Sequence, residues 1–221
     1  MSESFSGKIG IMGGTFDPIH IGHLFLAEEA YSRIGLDKVL IMPSPAPYHR
    51  TDKAVTDVRH RINMIKLAIA DNPHLEYSDF ELTHPGAGYS ADTLEAFKAE
   101  NPGAEIYFII GGDSLFSIEN WKDPERVFKN AVILASKREN EEEGASGSCT
   151  ADAACSGNDF KDQAEYLRKK YGAAIIDLET PTIGVSSSSI IKKIREGKTI
   201  KYHTADSVIE YIQSNRLYIE S

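Results

Sequence analysis

The chain has 221 residues, 41% of them hydrophobic and 26% charged, which is enough apolar material for a sizeable core. Its net charge of −9 gives no general attraction to nucleic acid or acidic membranes, so an anionic ligand must be met by locally concentrated donors. No apolar run approaches the roughly 20 residues of a membrane helix, and the polar start from Met1 to Lys8 lacks the make-up of a signal peptide. A cytoplasmic location is therefore expected.

Lys8 to Met12 reads as a short strand running into the glycine pair Gly13-Gly14. Leu24, Ala27, Tyr31 and Ile34 recur at helical spacing, and Gly35 closes that helix. Lys38 to Met42 is a second strand, ended by Pro43. Ser44 to Val55, with Pro45 and Pro47, reads as a loop. Val58, Ile62, Ile65 and Ile69 form another helical stripe. Leu75 to Leu82 is strand-like, Asp92 to Glu100 helical, and Glu105 to Ile110 a buried strand that ends at Gly111-Gly112-Asp113. Ala131 to Ala135 is a further strand.

Glu139 to Asn158 breaks this alternation. It begins acidic, continues with Gly, Ser and Ala, and holds both cysteines, Cys149 and Cys155. Such a stretch cannot bury enough apolar area to order itself, and it reads as a mobile surface insertion. Two thiols in one such stretch make neither a disulfide framework nor a zinc site. The pattern then resumes with a helix at Lys161 to Tyr171, a strand at Ala173 to Leu178, and helices at Ser187 to Glu196 and Ala205 to Asn215. Strands alternating with helices predict an α/β fold: a Rossmann-like, doubly wound parallel sheet with helices on both faces and a small C-terminal helical extension. A single domain over residues 1–221 is expected. Ligands of such sheets bind outside the carboxyl ends of the strands, where Gly13, the Pro43 loop, Gly111 to Asp113 and Ser186 fall.

The run Gly13-Gly14-Thr15-Phe16-Asp17-Pro18-Ile19-His20-Ile21-Gly22-His23 carries the chemistry. Glycines after a strand let the backbone approach a phosphate. His20 and His23, three apart and bracketing Gly22 at a helix mouth, can aim two imidazoles and the helix N–H groups at one anion. A phosphoryl group in transfer carries charge on its equatorial oxygens, where donating imidazoles would stabilise it. The G-x-G-x-x-G dinucleotide spacing is absent, and no Gly-Lys-Ser/Thr of a Walker loop follows.

Thr15-Phe16-Asp17-Pro18 with His20-Ile21-Gly22-His23 resembles the nucleotidyltransferases of the HxGH superfamily. Four further segments are similar to those of the bacterial nicotinate-nucleotide adenylyltransferases. Met42 to Arg50 resembles a "P-N-x-x-P-P-H-K" loop. Gly88 to Thr93 resembles "S-Y-T-x-D-T". Phe108 to Asp113, followed by Trp121, resembles "F-I-I-G-x-D" and its tryptophan. Val185 to Ile190 resembles "I-S-S-T-x-I-R". The similarity spans nearly the whole chain outside the insertion, Leu217-Tyr218 included. It departs at Ser44 (usually Asn), Tyr48 (usually Pro), Gly88 (usually Ser) and Ile191, which stands where the family has a helix-start arginine.

This resemblance implies an enzyme that joins ATP and nicotinate mononucleotide into nicotinate adenine dinucleotide and pyrophosphate. His20 and His23 would be catalytic. Gly13, Gly14, Thr15, Phe16, Gly111, Asp113, Ser186, Ser187 and Ser188 would join them around ATP. Thr15, His49, Arg50, Tyr89, Ser90, Thr93 and Trp121 would receive the mononucleotide. Mg²⁺ would arrive with ATP, since no carboxylate cluster resembles a metal cage. Nucleic-acid and membrane partners are not expected, and homo-oligomerisation is left open. Two other readings are a sister enzyme acting on another phosphate, such as 4′-phosphopantetheine, or using CTP, and a nucleotide-binding regulator that kept the fold and lost catalysis.

Overall fold

The computed structural model of the chain describes residues 4–45, 55–84, 86, 88–136, 159–181 and 183–219. The expected insertion at 139–158, and His49 and Arg50, lie outside the described residues.

The strands are β1 (Gly7–Gly14), β2 (Lys38–Pro43), β3 (Leu75–Tyr77), β4 (Ala104–Gly111), β5 (Val132–Ser136) and β6 (Ile175–Asp177). They form one parallel sheet in the order β3-β2-β1-β4-β5-β6. Alternate side chains point to opposite faces of a strand, and here both faces are buried. Ile9 and Ile11 of β1, Leu40 and Met42 of β2, and Ile106, Phe108 and Ile110 of β4 enter one core. Met12, Val39, Ile41, Tyr107 and Ile109 enter the other. This is why the strands read as near-continuous apolar runs.

The first core is covered by α4 (Ser90–Glu100), α5 (Gly112–Ser117), α6 (Pro124–Asn130) and α7 (Asp159–Tyr171), through Leu94, Phe97, Leu115, Val127 and Leu167. The second is covered by α1 (Ile21–Ile34), α2 (Val58–Ala68), α8 (Ser187–Arg195) and α9 (Asp206–Ser214), through Ala27, Ala30, Met64, Ile65, Ile190, Val208 and Ile212. The C-terminal helices thus belong to the sheet's covering layer beside α1 and α2. Gly35 ends α1 in the left-handed conformation at φ 66°, as a C-terminal glycine does.

The fold departs from the sequence reading in two places. The strand expected over Leu75 to Leu82 stops at Tyr77, and α3 (Phe80–Thr83) follows. The chain turns there because Ser78 Oγ accepts the Phe80 N–H, and the Asp79 carbonyl accepts from Leu82 and Thr83. The stretch between β4 and β5 shows no clear period in the sequence. It holds α5, a 3-10 turn at Ile118–Asn120, and α6. Each is too short to show a stripe, and each is held by buried residues, Leu115, Ile118, Val127 and Phe128.

Candidate active site

A cleft of about 750 Å³ opens at the carboxyl ends of the strands. Its floor is Gly13, Gly14 and Thr15 after β1, Ser44 after β2, Gly111 after β4 and Ser136 after β5. His20, Gly22 and His23 enter from α1, and Val185 and Ser186 from the start of α8. Glu81, Gly88, Tyr89, Ser90, Trp121 and Lys122 form the opposite wall.

The two histidines are built into the mouth of α1. His20 is its N-cap, with extended backbone, and its carbonyl accepts from the N–H groups of His23 (2.9 Å) and Leu24 (3.2 Å). The His20 backbone N–H donates in turn to Nδ1 of His23 at 3.3 Å. An Nδ1 that accepts leaves the proton of the neutral ring on Nε2. The rings stack with centroids 3.7 Å apart, and Phe16 meets His23 edge-on at 5.0 Å. Burial first, and His20 beside it second, hold the His23 pKa well below the ordinary histidine value. His23 is therefore a neutral Nε2–H donor near pH 7.

Gly22 is fixed by this packing. A Cβ there would lie 3.1 Å from His20 Nδ1 and 3.2 Å from Cε1, so any side chain presses on the imidazole. The motif is anchored from the C-terminal part as well. Ile21 N–H donates to the His203 carbonyl at 2.9 Å, and Thr204 Oγ1 donates to the Ile19 carbonyl at 2.8 Å.

Around the histidines the backbone lies open to the cleft. A Cβ at Gly111 would meet nothing within 4 Å, and one at Gly13 only the Phe108 ring at 3.7 Å. Ser186 and Ser189 cap α8 reciprocally, each backbone N–H donating to the other's hydroxyl at 3.2 Å. The Ser187 hydroxyl donates to the Pro18 carbonyl at 2.9 Å and ties α8 to the histidine loop. Lys192, Lys193 and Arg195 lie in the last turn of α8, away from its start. None of them lines the cleft, and Ile191 adds no charge there.

On the opposite wall, Tyr89 is the N-cap of α4 and Ser90 its first residue. Thr93 is buried, and its hydroxyl lies 3.0 Å from Glu81 Oε1 and 3.2 Å from the Tyr89 carbonyl. Burial pushes the Glu81 carboxyl up, against the opposing Thr93 bond. Trp121 stands edge-on to Phe108, centroids 6.3 Å apart. Lys122 bridges to Asp92 at 3.0 Å and lies over the Tyr89 ring at 4.6 Å.

Of the residues expected from the sequence, the cleft brings together Gly13, Gly14, Thr15, His20, His23, Gly111, Ser186, Tyr89, Ser90 and Trp121. Phe16, Thr93 and Ser187 stand behind them as supports, while Asp113 and Ser188 are exposed outside the lining. Sequence reasoning missed Glu81, Lys122 and Arg61. Glu81 was hidden in a presumed strand. Arg61 looked like a polar residue between the apolar positions of α2, yet it is fully buried. Among the described residues no group of three or more His, Cys, Asp or Glu side chains converges as a metal site. No described helix is long and apolar enough to cross a membrane.

Residues 11–193 match the sequence model of the Cytidylyltransferase-like family. The "Probable nicotinate-nucleotide adenylyltransferase" of Lachnoclostridium phytofermentans is 38% identical, over 96% of this chain and 99% of its own. The one from Carboxydothermus hydrogenoformans is 36% identical, over 96% and 98%. In structure the chain is similar to the Plasmodium falciparum nicotinic acid mononucleotide adenylyltransferase complexed with NaAD. The TM-score is 0.72 at 22% identity, covering 96% of this chain and 97% of that one. The fold and the first match define the class, the nucleotidyltransferases of the Cytidylyltransferase-like family. Within that class, the chain belongs to the nicotinate-nucleotide adenylyltransferase family.

Two outcomes follow. Gly22→Ala should move the His20 ring and lower kcat/KM by about 100-fold. Its melting temperature should change little, because alanine's better helix propensity offsets part of the cost of that contact. Activity that survives intact would refute the close-packing role of Gly22. Second, nitrogen NMR of His23 should show a neutral, Nε2-protonated ring from pH 8 down through 6.5. A folded pKa below the unfolded value near 6.5 means that the unfolded chain takes up the proton first. The stability tied to His23 is then complete above pH 6.5 and is lost as pH falls below it. A His23 midpoint at or above 6.5 would contradict this.

Proposed function

We propose that the chain catalyses adenylyl transfer from ATP to nicotinate mononucleotide, yielding nicotinate adenine dinucleotide and pyrophosphate. The observation that carries this reading is the placement of both expected half-sites in one cleft. His20 and His23 face it from α1, and Tyr89, Ser90 and Trp121 from the other wall.

In the reaction, a phosphate oxygen of the mononucleotide attacks the α-phosphorus of ATP. The new P–O bond forms as the bond to the β-phosphate oxygen breaks, and pyrophosphate leaves with that electron pair. No proton need be removed from an ionised phosphate, and no protein nucleophile is used. The protein contributes alignment and charge stabilisation. His23 donates Nε2–H to phosphoryl oxygens as charge builds, and His20 stacks beside it. The open backbone at Gly13 and Gly111 and the N-terminus of α1 receive the phosphates. Ser186, at the N-terminus of α8, lies on the ATP side.

Mg²⁺ would enter with ATP and would offset triphosphate charge. The lining fits that route: its only carboxylate among the described residues is Glu81, on the mononucleotide wall. On that wall Trp121 stacks on the pyridine ring, and N–H groups at the start of α4 receive its carboxylate. Such charge-assisted bonds favour the acid over the amide. Glu81 stands on this wall, and burial raises its carboxyl pKa from the ordinary value.

Pyrophosphate release from ATP plus nicotinate mononucleotide at saturating Mg²⁺ tests the reading. Turnover is expected, with kcat/KM strongly lower for nicotinamide mononucleotide and kcat at least about 100-fold lower in His23→Ala. No product from the nicotinate substrate, or turnover of 4′-phosphopantetheine in its place, would sink it. ATP binding without any turnover would favour a regulator.

A further inference from the structure

Arg61 is the largest fully buried side chain among the described residues, at 1% exposure. Among the described residues it meets no carboxylate directly. Its guanidinium is spent on four backbone carbonyls: Nη1 donates to Thr15 (2.7 Å) and Ser44 (2.9 Å), Nη2 to Pro45 (3.1 Å) and Nε to Thr56 (3.1 Å). Every acceptor is a loop carbonyl at the carboxyl ends of β1 and β2 or just before α2. Two of them, Thr15 and Ser44, belong to residues that floor the cleft.

A second residue closes the arrangement. Asp17 accepts the Thr56 N–H at 3.0 Å and the Tyr218 hydroxyl at 2.6 Å. Ser44 N–H donates to the Gly14 carbonyl at 2.9 Å. The loops after β1 and β2 and the approach to α2 are thereby bonded to one another through Arg61 and Asp17, with Tyr218 bracing them from the C-terminal segment. Burying a guanidinium is costly, and an apolar side chain would fill the same volume without that cost. A planar fork of donors does what an apolar chain cannot: it sets several carbonyls at fixed distances from one another.

We infer that Arg61 is a positioning residue for the transfer step, holding the backbone of Thr15 and Ser44 in register so that the two substrates meet in line. This rests on the adenylyl-transfer reading above. Arg61 touches neither substrate. Its effect runs through the floor on which their phosphates lie.

The test uses the full chain, the single variants Arg61→Lys, Tyr218→Phe and Tyr211→Phe, and the Arg61→Lys/Tyr218→Phe double variant. Tyr211 hydrogen-bonds His60 and Asn63 at 2.9 Å each, and its residue is absent from the cleft lining, so Tyr211→Phe controls for the loss of a tyrosine hydroxyl elsewhere. Initial rates are taken well below each melting temperature, where every variant is native by circular dichroism. Arg61→Lys keeps the charge but cannot span four carbonyls. It should lower kcat by about 10- to 100-fold, with KM for either substrate changing far less. Tyr218→Phe should lower kcat several-fold, and the double variant should lose less than the product of the two, because both act on one network. Tyr211→Phe should keep wild-type kcat. A folded Arg61→Lys with wild-type kcat and KM overturns the assignment. If Arg61→Lys does not fold, Tyr218→Phe decides: reduced kcat supports it, and wild-type kcat overturns it. A wild-type chain that releases no pyrophosphate overturns the functional reading itself and is recognised by that wild-type rate alone.

Discussion

The site depends on one constraint of parallel sheets. A right-handed crossover carries the chain outward from β1 in one direction to β2 and β3, and in the other to β4, β5 and β6. The loops after β1 and β4, neighbours in the sheet, therefore leave in opposite directions and open a crevice between them. Gly13 and Gly14 end one of these strands and Gly111 the other. With almost nothing to meet a side chain at Gly13 or Gly111, the backbone itself is the surface that a phosphate can reach.

An acidic chain that handles polyanions must draw on dipoles and hydrogen bonds more than on net charge. Lys122 is the one Lys or Arg in the described cleft lining, and it stands on the wall opposite α8, engaged with Asp92. The α8 cations sit at that helix's far end, and Ile191 supplies no charge at its near end. Among the described residues, the proposed phosphate side offers the N-termini of α1 and α8, exposed glycine backbone and two imidazoles. His23 is kept neutral by its burial and by His20, so it enters the proposed reaction as a fixed donor, oriented by the bond that its Nδ1 accepts. Preorganised neutral donors in a partly desolvated cleft stabilise developing charge without costly reorganisation.

Much of this was legible in the sequence because the chemistry and the fold use the same local signals. The glycine pair after β1, the spacing of His20 and His23 around Gly22, and the serine run that caps α8 are short-range patterns, and each sits where the alternation of strands and helices placed it. Three things were not legible. Helices α3, α5 and α6 are too short to show a period and exist through tertiary contacts. Thr93 matched a binding segment, yet its hydroxyl is turned toward Glu81 and the Tyr89 carbonyl. Arg61 carries no local signal, since its four acceptors come from the β1–α1 and β2–α2 connections, which meet only in the folded chain. Long-range polar networks of this kind leave no periodic trace.

In the proposed reaction one cleft holds both nucleotides, with the histidines on the phosphates and Trp121 on the pyridine. A crystal structure with bound nicotinate adenine dinucleotide tests it most directly. The dinucleotide's phosphates should lie within hydrogen-bond distance of His23 Nε2 and its pyridine ring against Trp121. Phosphates bound away from both histidines, or a pyridine ring that does not reach Trp121, would contradict it.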